Sequence, residues 1–450
     1  MAYLGRRGAL APVSTADIPD NSITSAKIVD GAVAVADLGP NSVDSSELVD
    51  GSIDTSHIAD DQVTGAKIEN NPTIAGNLTV SGDLIPSEPL SNRNMIINGG
   101  MQIWQRGTSA TAAGVNTYNT ADRWMFAESA DGGFTSERHS MSLAELNTTG
   151  HFYALKLVCT GVDSSVAAGA HSTFMQNIEA QNLQHLQYGT ASAKTITLSF
   201  WVKSNKTGTY CVAIEKPDTT AYRIPIEYSI SSADTWEQKK ITITPTAGST
   251  SLITSAAGVI TNDTGIGLTV RFALVVGSTY HGTNNTWGTS NVLATSNQVN
   301  WQDSTSNNFY ITGLQLEVGS SATPFEHRSY GDELIRCQRY FEKSWSQGTD
   351  IGTSTAVGAI IGGGSVGALT TSYLSAGISF AVEKRIAPTI TLYDTAGNSG
   401  KVSADQPGTG TSTNQTGSTQ NISTRTFGVL RSSGDNRSNL LCHYYAFADF

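Results

Sequence analysis

Aliphatic residues recur at a ten-residue spacing between positions 16 and 85. Counted in tens from Ala16, the third position of each repeat is Ile or Leu: Ile18, Ile28, Leu38, Leu48, Ile58, Ile68 and Leu78. The eighth position is Ile or Val in the first five repeats: Ile23, Val33, Val43, Ile53 and Val63. Turn-forming pairs such as Asp20-Asn21 and Asp30-Gly31 lie between the two aliphatic positions. A fixed period of this kind predicts a repeat architecture.

The two aliphatic residues of one repeat cannot share a face of a single regular element. Residues five apart lie on opposite faces of a strand and about 140° apart on a helix. We therefore expect each repeat to hold one helical turn, a tight turn and a short extended piece. Such a unit is too small to form a core alone and requires stacked neighbours or partner chains around an axis. The alternative is a disordered linker rich in Ser and Asp.

A different pattern follows the repeats, with short apolar runs that alternate as strands do. These runs span residues 152–160, 194–204, 209–216, 237–246, 266–277 and 307–317. In the second run, Ile196, Leu198, Phe200 and Val202 point to one face, whereas Thr195, Thr197, Ser199 and Trp201 point to the other. Short strands separated by turn residues predict an antiparallel sandwich or jelly roll.

One stretch near the C-terminal end has helical spacing. Leu334, Cys337, Phe341 and Trp345 share a face of a helix predicted over residues 331–345, and Ser329 or Asp332 can cap it. Strand patterns resume around Pro388 and in residues 423–434 and 440–450. The predicted fold is therefore mainly β. A fibrous repeat shaft precedes an antiparallel, jelly-roll-like β-sandwich, and one short helix leads into a smaller C-terminal β-sandwich. The expected domains are residues 1–15, 16–85, 86–330 and 331–450.

The composition agrees with the predicted β-rich fold and argues against some classes of function. Only 14% of the 450 residues are charged and 44 are Gly, which favours β-structure with polar turns. The net charge of −11 gives no electrostatic footprint for nucleic acid. No apolar run is long enough to insert into a membrane, and the first residues lack the apolar region of a signal peptide. We therefore expect synthesis in a cytoplasm.

The four cysteines, Cys159, Cys211, Cys337 and Cys442, are far apart and form no CxxC pair. Buried free thiols are the favoured interpretation, ahead of disulfides or a metal site.

Two segments carry a resemblance to a known family. The first is residues 92–109 followed by residues 118–126, with Asn94, Ile97, Asn98, Gly99, Gln102, Trp104, Gln105, Arg106, Gly107, Ala121, Asp122, Arg123 and Trp124 as the matching positions. The second is residues 313–344, "GLQLEVGSSATPFEHRSYGDELIRCQRYFEKS". Together they resemble the opening and close of a domain found in bacteriophage tail-fibre and virion proteins. The ten-residue repeats and the C-terminal pattern are also similar to the shafts and tips of such fibres.

The resemblance implies a carbohydrate-binding-module-like jelly roll between the two signatures and a tip domain after them. It also implies a homotrimer that is attached to other virion proteins through its N-terminus and meets a host-cell surface glycan or protein at its distal end. The expected location is the virion, and the expected function is host attachment by non-covalent, multivalent binding. The alternatives are a purely structural capsid, neck or baseplate fibre, or a polysaccharide depolymerase.

Aromatic residues in polar surroundings are the candidate glycan-binding positions. Trp287, Trp301 and His281 lie in a polar, loop-like tract, where exposed rings suit sugars. Plugging one end of the jelly roll or a subunit interface is the alternative role for the two tryptophans. In the tip the candidates are Tyr393, His443, Tyr444 and Tyr445, with Arg431, Asp435 and Arg437 nearby. Tyr444 and Tyr445 are adjacent in a strand, so at most one joins any given surface.

The opening motif offers a second cluster, formed by Trp104, Arg106, Asp122, Arg123 and Trp124. One interpretation is a ligand site, because indole faces stack on sugars and Arg–carboxylate pairs fix polar groups. The favoured interpretation is structural: Asp122 and Arg123 satisfy one another or the backbone near an inter-domain seam, with both tryptophans in the core.

Catalytic signatures are weak. The acidic residues are scattered, no GxSxG motif occurs, and the glycine run at 361–367 lacks the lysine of a phosphate-binding loop. The histidines show no metal-ligand spacing. We therefore predict a protein that is not an enzyme and needs no cofactor or metal.

Overall fold

The structure, a computed structural model, describes Pro12 and residues 14–37, 91–111, 116–363, 372–373, 377–406, 410–431 and 439–450. The chain divides into two compact units, Met1–Ile85 and Pro86–Phe450.

The described part of the first unit repeats with the period of its sequence. Single 3-10 turns at Thr15–Asp17, Ser25–Lys27 and Val35–Asp37 are ten residues apart. Tight turns separate them, with Asn21 (φ 60°) and Gly31 (φ 75°) in the left-handed conformation. The expected succession of a helical turn and a tight turn is therefore present in residues 14–37. The later repeats and the N-terminal head lie outside the described residues.

The aliphatic residues of these repeats are exposed within the chain. Ile18, Ile23, Ile28 and Val33 keep 42%, 56%, 45% and 51% of their surface accessible. Backbone hydrogen bonds hold the turns, and the Asp17 carboxylate accepts from the Ser14 N–H at 2.8 Å. Local polar contacts thus define the shape of each repeat without burying its aliphatic side chains.

The second unit begins with a β-sandwich. Its strands are β1 (Ser109–Thr111), β2 (Met125–Glu128), β3 (Gly133–Ser140), β4 (Tyr153–Gly161), β5 (His171–Glu179), β6 (Ile196–Ser204), β7 (Gly208–Lys216), β8 (Tyr222–Ile230), β9 (Glu237–Ile243), β10 (Ile266–Val276) and β11 (Asn308–Val318). A short helix, α1 (Leu143–Thr149), lies between β3 and β4. All six runs predicted as strands are confirmed, and β1, β2, β3, β5 and β8 were not predicted.

Two antiparallel sheets form the sandwich. Sheet I has the order β1-β3-β4-β11-β6-β9, and sheet II has the order β2-β5-β10-β7-β8. Apolar residues from both sheets meet in one core, in which Phe174 and Phe272 of sheet II stack at 5.0 Å and Phe200 of sheet I packs edge-on against Phe272 at 5.1 Å. The predicted mainly-β, antiparallel fold is confirmed.

The helix after the sandwich is shorter than predicted. α2 spans Tyr330–Gln338, and Ser329 caps it by accepting from the Asp332 N–H at 3.1 Å. The predicted extension to residue 345 is wrong. Phe341 starts strand β12 (Phe341–Lys343), because its backbone pairs with Phe447 of the last strand. Cross-strand hydrogen bonds therefore override the helical spacing of the apolar residues.

The rest of the chain forms a curled antiparallel sheet. After β12 its strands are β13 (Ile360–Gly363), β14 (Ser372–Tyr373), β15 (Ile378–Ser379), β16 (Thr389–Tyr393), β17 (Lys401–Gln406), β18 (Gly410–Gln420), β19 (Thr426–Arg431) and β20 (Asn439–Phe447). β20 pairs with β12, β13, β16 and β17 along its length. Phe380, Phe427 and Tyr444 pack together in a core of its own.

The four cysteines are free and buried, as predicted.

Candidate functional site

Aromatic rings gather on the outer face of sheet I. In β6 the alternation that turns Phe200 and Val202 into the core turns Trp201 and Lys203 outward. Tyr310 of β11 lies directly opposite Lys203. Trp236 immediately precedes β9, the strand that pairs with the other side of β6. We call the surface formed by Trp201, Lys203, Trp236, Tyr310 and Glu145 of α1 the aromatic face.

The rings of the aromatic face are partly exposed, and two of them contact a lysine. Trp201, Trp236 and Tyr310 all keep part of their surface accessible. The Lys203 ammonium lies 4.4 Å from the centroid of the Tyr310 ring and 5.2 Å from that of Trp236. The rings of Trp236 and Tyr310 meet edge-on with centroids 6.2 Å apart. These contacts hold the lysine by cation–π attraction and fix the orientation of the rings.

Glu145 joins the polar groups of this surface. Its carboxylate accepts from Lys203 Nζ at 2.7 Å and from Trp236 Nε1 at 3.0 Å, and it lies 3.1 Å from His139 Nε2. The same carboxylate closes the capping box of α1 with Ser142. Burial alone would raise the pKa of Glu145, but hydrogen bonds from Lys203, the Ser142 backbone and Trp236 lower it well below its usual value. Glu145 is therefore ionised at neutral pH.

A glycine supports the strand beside Trp201. Gly313 (φ 63°) lies where β11 shifts register against β6. A Cβ at this position would lie 3.2 Å from Cδ1 of Trp201 and 2.5 Å from Nε2 of His151. The buried His151 ring in turn packs edge-on against Phe325 at 4.6 Å. Glycine is thus required to let the backbone turn between the two side chains.

The chemistry of the aromatic face suits a sugar. Partly exposed aromatic rings provide flat apolar area for the C–H faces of a pyranose, and fixed donors and acceptors beside them can bond its hydroxyls. Two strongly exposed apolar side chains lie on elements that border sheet I: Phe152, immediately before β4, and Leu143 of α1, which are 65% and 73% accessible.

The two tryptophans that the sequence suggested lie elsewhere. Trp287 is 2% exposed and Trp301 is fully buried, so the exposure expected for both rings is wrong. Both belong to the sandwich core, and their indole N–H groups donate to the carbonyls of Thr244 and Asn308 at 2.9 and 3.2 Å. His281 is partly buried, with Nε2 3.1 Å from the carbonyl of Val276.

The tip candidates separate into buried and partly exposed residues. His443 is buried, stacked on Trp345 at 4.3 Å, and Tyr444 is buried with its hydroxyl donating to Glu342 at 2.7 Å. Tyr393 and Tyr445 are partly exposed, with ring centroids 6.1 Å apart. Within the C-terminal sheet these two rings are therefore the predicted residues that keep accessible surface.

Of the charged residues suggested beside the tip aromatics, Arg431 is described by the structure. Arg431 is buried, at the end of β19. Asp435 and Arg437 lie outside the described residues.

The opening motif lies at the seam between the sandwich and the C-terminal sheet. Both Trp104 and Trp124 are buried in the sandwich core. Asp122 accepts from the N–H and side-chain amide of Gln105 at 2.6 and 3.0 Å, and burial raises its pKa. Its nearest charged partner is Arg106, at 3.8 Å.

Arg123 does not pair with its neighbour Asp122. Its backbone is left-handed (φ 74°), and its guanidinium pairs with Asp449, lies 3.4 Å from the centroid of the Tyr340 ring and donates to the Asn177 carbonyl at 2.7 Å. Arg106 pairs with the same Asp449 carboxylate. Asp449, which the sequence did not suggest, therefore joins the motif to the last residues of the chain.

Comparisons with known proteins leave the family open. No protein-family model matches the sequence, and no curated protein matches it. Among solved structures, the enzymatically active domain of bacteriophage CBA120 tailspike protein 4 has 12% identity and a TM-score of 0.24 and covers 50% of this chain. The match spans only about a fifth (21%) of that tailspike chain.

Two carbohydrate-binding modules are also similar. One is the family 11 module of cellulase Lic26A-Cel5E of Clostridium thermocellum, with 12% identity, a TM-score of 0.24, and 47% of this chain and 97% of the module covered. The other is TmCBM61 in complex with β-1,4-galactotriose, with 12% identity, a TM-score of 0.22, and 51% and 100% covered. Because these TM-scores are below 0.5, the fold rests on the strand pairing given above.

Within the described ranges, no group of three or more His, Cys, Asp or Glu side chains could hold a metal ion. No helix in the same part of the chain is long and apolar enough to cross a membrane.

Proposed function

We propose that this protein is a fibrous virion attachment protein that binds a cell-surface glycan through the aromatic face. The observation that carries the proposal is the cluster of the partly exposed Trp236 and Tyr310 rings around Lys203 and Glu145, with Trp201 partly exposed on the same face of β6. Rings held in place lose little freedom on binding, so stacking on a sugar has a low entropic cost. Binding is non-covalent and requires no catalytic group.

The repeats serve as a shaft in this proposal. Their exposed aliphatic residues need cover from other chains, and a homotrimer of parallel shafts would supply it. Three aromatic faces per fibre would then turn weak single contacts into avid attachment. The N-terminal segment would dock on other virion proteins, which places the fibre on the virion after synthesis in the host cytoplasm.

The rival function is a purely structural fibre whose aromatic face packs against another virion protein. The exposed Phe152 and Leu143 side chains would suit such packing, because large exposed apolar side chains often mark protein contacts.

A glycan array with the full chain tests the proposal. We expect binding to a limited set of glycans, with affinity about tenfold weaker in Trp236→Ala and Trp201→Ala. Tyr330→Ala is the matched control, because Tyr330 of α2 is a 50% exposed aromatic residue outside the aromatic face. Absence of glycan binding, or equal binding by the tryptophan variants, would contradict the proposal and favour the structural fibre.

A further inference from the structure

A charged triad lies on the outer face of sheet II, on the opposite side of the sandwich from the aromatic face. In β10, Val270 and Phe272 enter the core, whereas Arg271 points outward. Glu215 of β7 and Arg223 of β8 lie on the same outer face, directly opposite one another in the ladder. We call Arg223, Glu215 and Arg271 the triad, and its two arginines the arginine pair.

Each arginine of the pair donates one hydrogen bond to the Glu215 carboxylate. Glu215 accepts from Nε of Arg223 at 3.2 Å and from Nε of Arg271. Nη1 of Arg271 donates to the Thr173 hydroxyl at 3.2 Å. Among the described residues, Nη2 of Arg271 and both Nη atoms of Arg223 donate to no protein acceptor. Two guanidinium groups therefore keep terminal N–H donors available beside one another.

The triad carries surplus positive charge in a recessed position. Two guanidinium groups, which do not deprotonate in proteins, share one carboxylate, so the local charge is positive although the whole chain has a net charge of −11. The side chains of Arg223, Arg271 and Glu215 are 18%, 16% and 8% exposed. Partial burial strengthens the field of the unpaired charge and leaves an opening for a ligand.

The outer face of sheet II is covered on both sides of the triad. On one side, Cys211 and Ala273 are buried under Leu293 and Ala294 of the following loop. On the other, Glu179 at the end of β5 is held by Arg339 at 2.7 Å. The triad thus lies in a recess between two covered regions.

His171 and Tyr280 border the recess. His171 is the outward residue at the start of β5, and the Tyr280 ring meets it edge-on at 5.5 Å. Burial, followed by the charge of Arg271, lowers the pKa of His171, so its imidazole is neutral at pH 7. Its Nδ1 lies 3.0 Å from the Ser129 hydroxyl, and its Nε2 can exchange a hydrogen bond with a ligand hydroxyl. A partly exposed ring and a neutral imidazole beside two guanidinium groups suit a polyhydroxylated anion better than a bare ion.

We propose that the arginine pair binds the carboxylate of an acidic sugar, with His171 and Tyr280 contacting its ring. Guanidinium groups match the geometry of a carboxylate through paired N–H donors. The inference rests on the proposed function in taking a saccharide as the ligand, but it uses a separate surface. Acidic sugar units would then contact the triad, and neutral sugar units would contact the aromatic face.

Calorimetric titration of the full chain with glucuronate, galacturonate and N-acetylneuraminate tests this proposal. The methyl ester of each sugar is the matched neutral probe, and acetate and inorganic phosphate are the anions without a sugar. We expect at least one acid to bind, its ester to bind about tenfold more weakly, and the affinity to fall as salt rises. Arg223→Gln and Arg271→Gln should each weaken binding of the acid about tenfold.

Matched variants keep the result interpretable. Arg425→Gln, which removes a 75% exposed arginine of the C-terminal sheet, should bind the acid as the unmodified protein does. Arg223→Lys retains the charge and loses the fork, so a folded variant with weakened binding would support recognition of the carboxylate.

The proposal is wrong if no acid binds at millimolar concentration, if ester and acid bind equally, if acetate or phosphate binds as tightly as the sugar, or if the arginine variants have no effect. Failure of the aromatic face would be seen separately, as loss of neutral-glycan binding on the array with acid binding retained.

Discussion

Two pairs of tryptophans in the sandwich differ in what surrounds their rings. Trp287 and Trp301 are enclosed by the core, and backbone carbonyls accept their indole N–H groups. Trp201 and Trp236 lie on the outer face of sheet I with part of each ring accessible. The side-chain carboxylate of Glu145 accepts the Trp236 N–H.

This difference separates structure from recognition. A tryptophan whose ring and N–H are both used inside the protein stabilises the fold and offers nothing to a ligand. A ring that is fixed by a side-chain network and remains accessible can bind with little loss of freedom. The two pairs should therefore respond to substitution in opposite ways.

The largest effect on folding is expected for Trp301. Trp301→Ala should lower the free energy of unfolding by about 3–5 kcal/mol, because it leaves a large cavity in a closed core. Trp236→Ala should cost less than about 1 kcal/mol, since its ring is already partly solvated. Urea denaturation of both variants measures the difference. Similar losses for the two variants would contradict the assignment of Trp236 to a binding surface.

A smaller effect on the free energy of unfolding is expected from the buried His151, which lies close to Gly313. Burial, and secondarily the charge of His327, lower the pKa of His151 to about 4. The unfolded chain binds a proton near pH 6.5, so between about pH 6.5 and 4 it binds more protons than the folded chain, and stability falls as the pH falls.

At pH 4 the free energy of unfolding should be roughly 1–3 kcal/mol lower than at neutral pH because of His151. His151→Gln should remove this part of the pH dependence. Denaturant midpoints at pH 4.5 and 7 provide the measurement. His327→Gln is the control, because His327 is exposed and should leave most of the dependence in place. An unchanged pH profile in His151→Gln would disprove the role of the buried imidazole.

The smallest change in free energy is expected for Glu145, and it concerns glycan binding. Glu145→Gln removes the charge that holds Lys203 and Trp236, and it should weaken glycan binding about fivefold, equivalent to about 1 kcal/mol. Glu137→Gln is the matched control, because Glu137 is also paired on sheet I, with Lys156 at 3.0 Å, and does not belong to the aromatic face. Equal binding by the two variants would mean that Glu145 does not position the rings.

The sequence predicts those strands that are rich in aliphatic and aromatic residues, such as β6, β10 and β11. β5 was missed because polar residues, among them Gln176 and Asn177, interrupt its apolar ones, although all but its first residue are buried. β8 contains Pro225, which argues against a central strand, and it lies at the edge of sheet II, where a missing N–H is tolerated.

The aromatic face was only partly visible in the sequence. The alternation of β6 placed Trp201 on the polar row, which is the signal that could have singled it out. Tyr310, Trp236 and Glu145 come from distant segments, and they meet only because β6 pairs with both β9 and β11. Asp449 was missed for the same reason, because its contact with Arg106 spans 343 residues.

Fluorine NMR of the full chain labelled with 5-fluorotryptophan tests the central claim most directly. The chain has seven tryptophans, and single Trp→Phe variants assign their signals. On addition of the oligosaccharide that binds most tightly on the array, the signals of Trp201 and Trp236 should shift, and those of Trp287 and Trp301 should not. Binding without any shift at Trp201 or Trp236 would contradict recognition by the aromatic face.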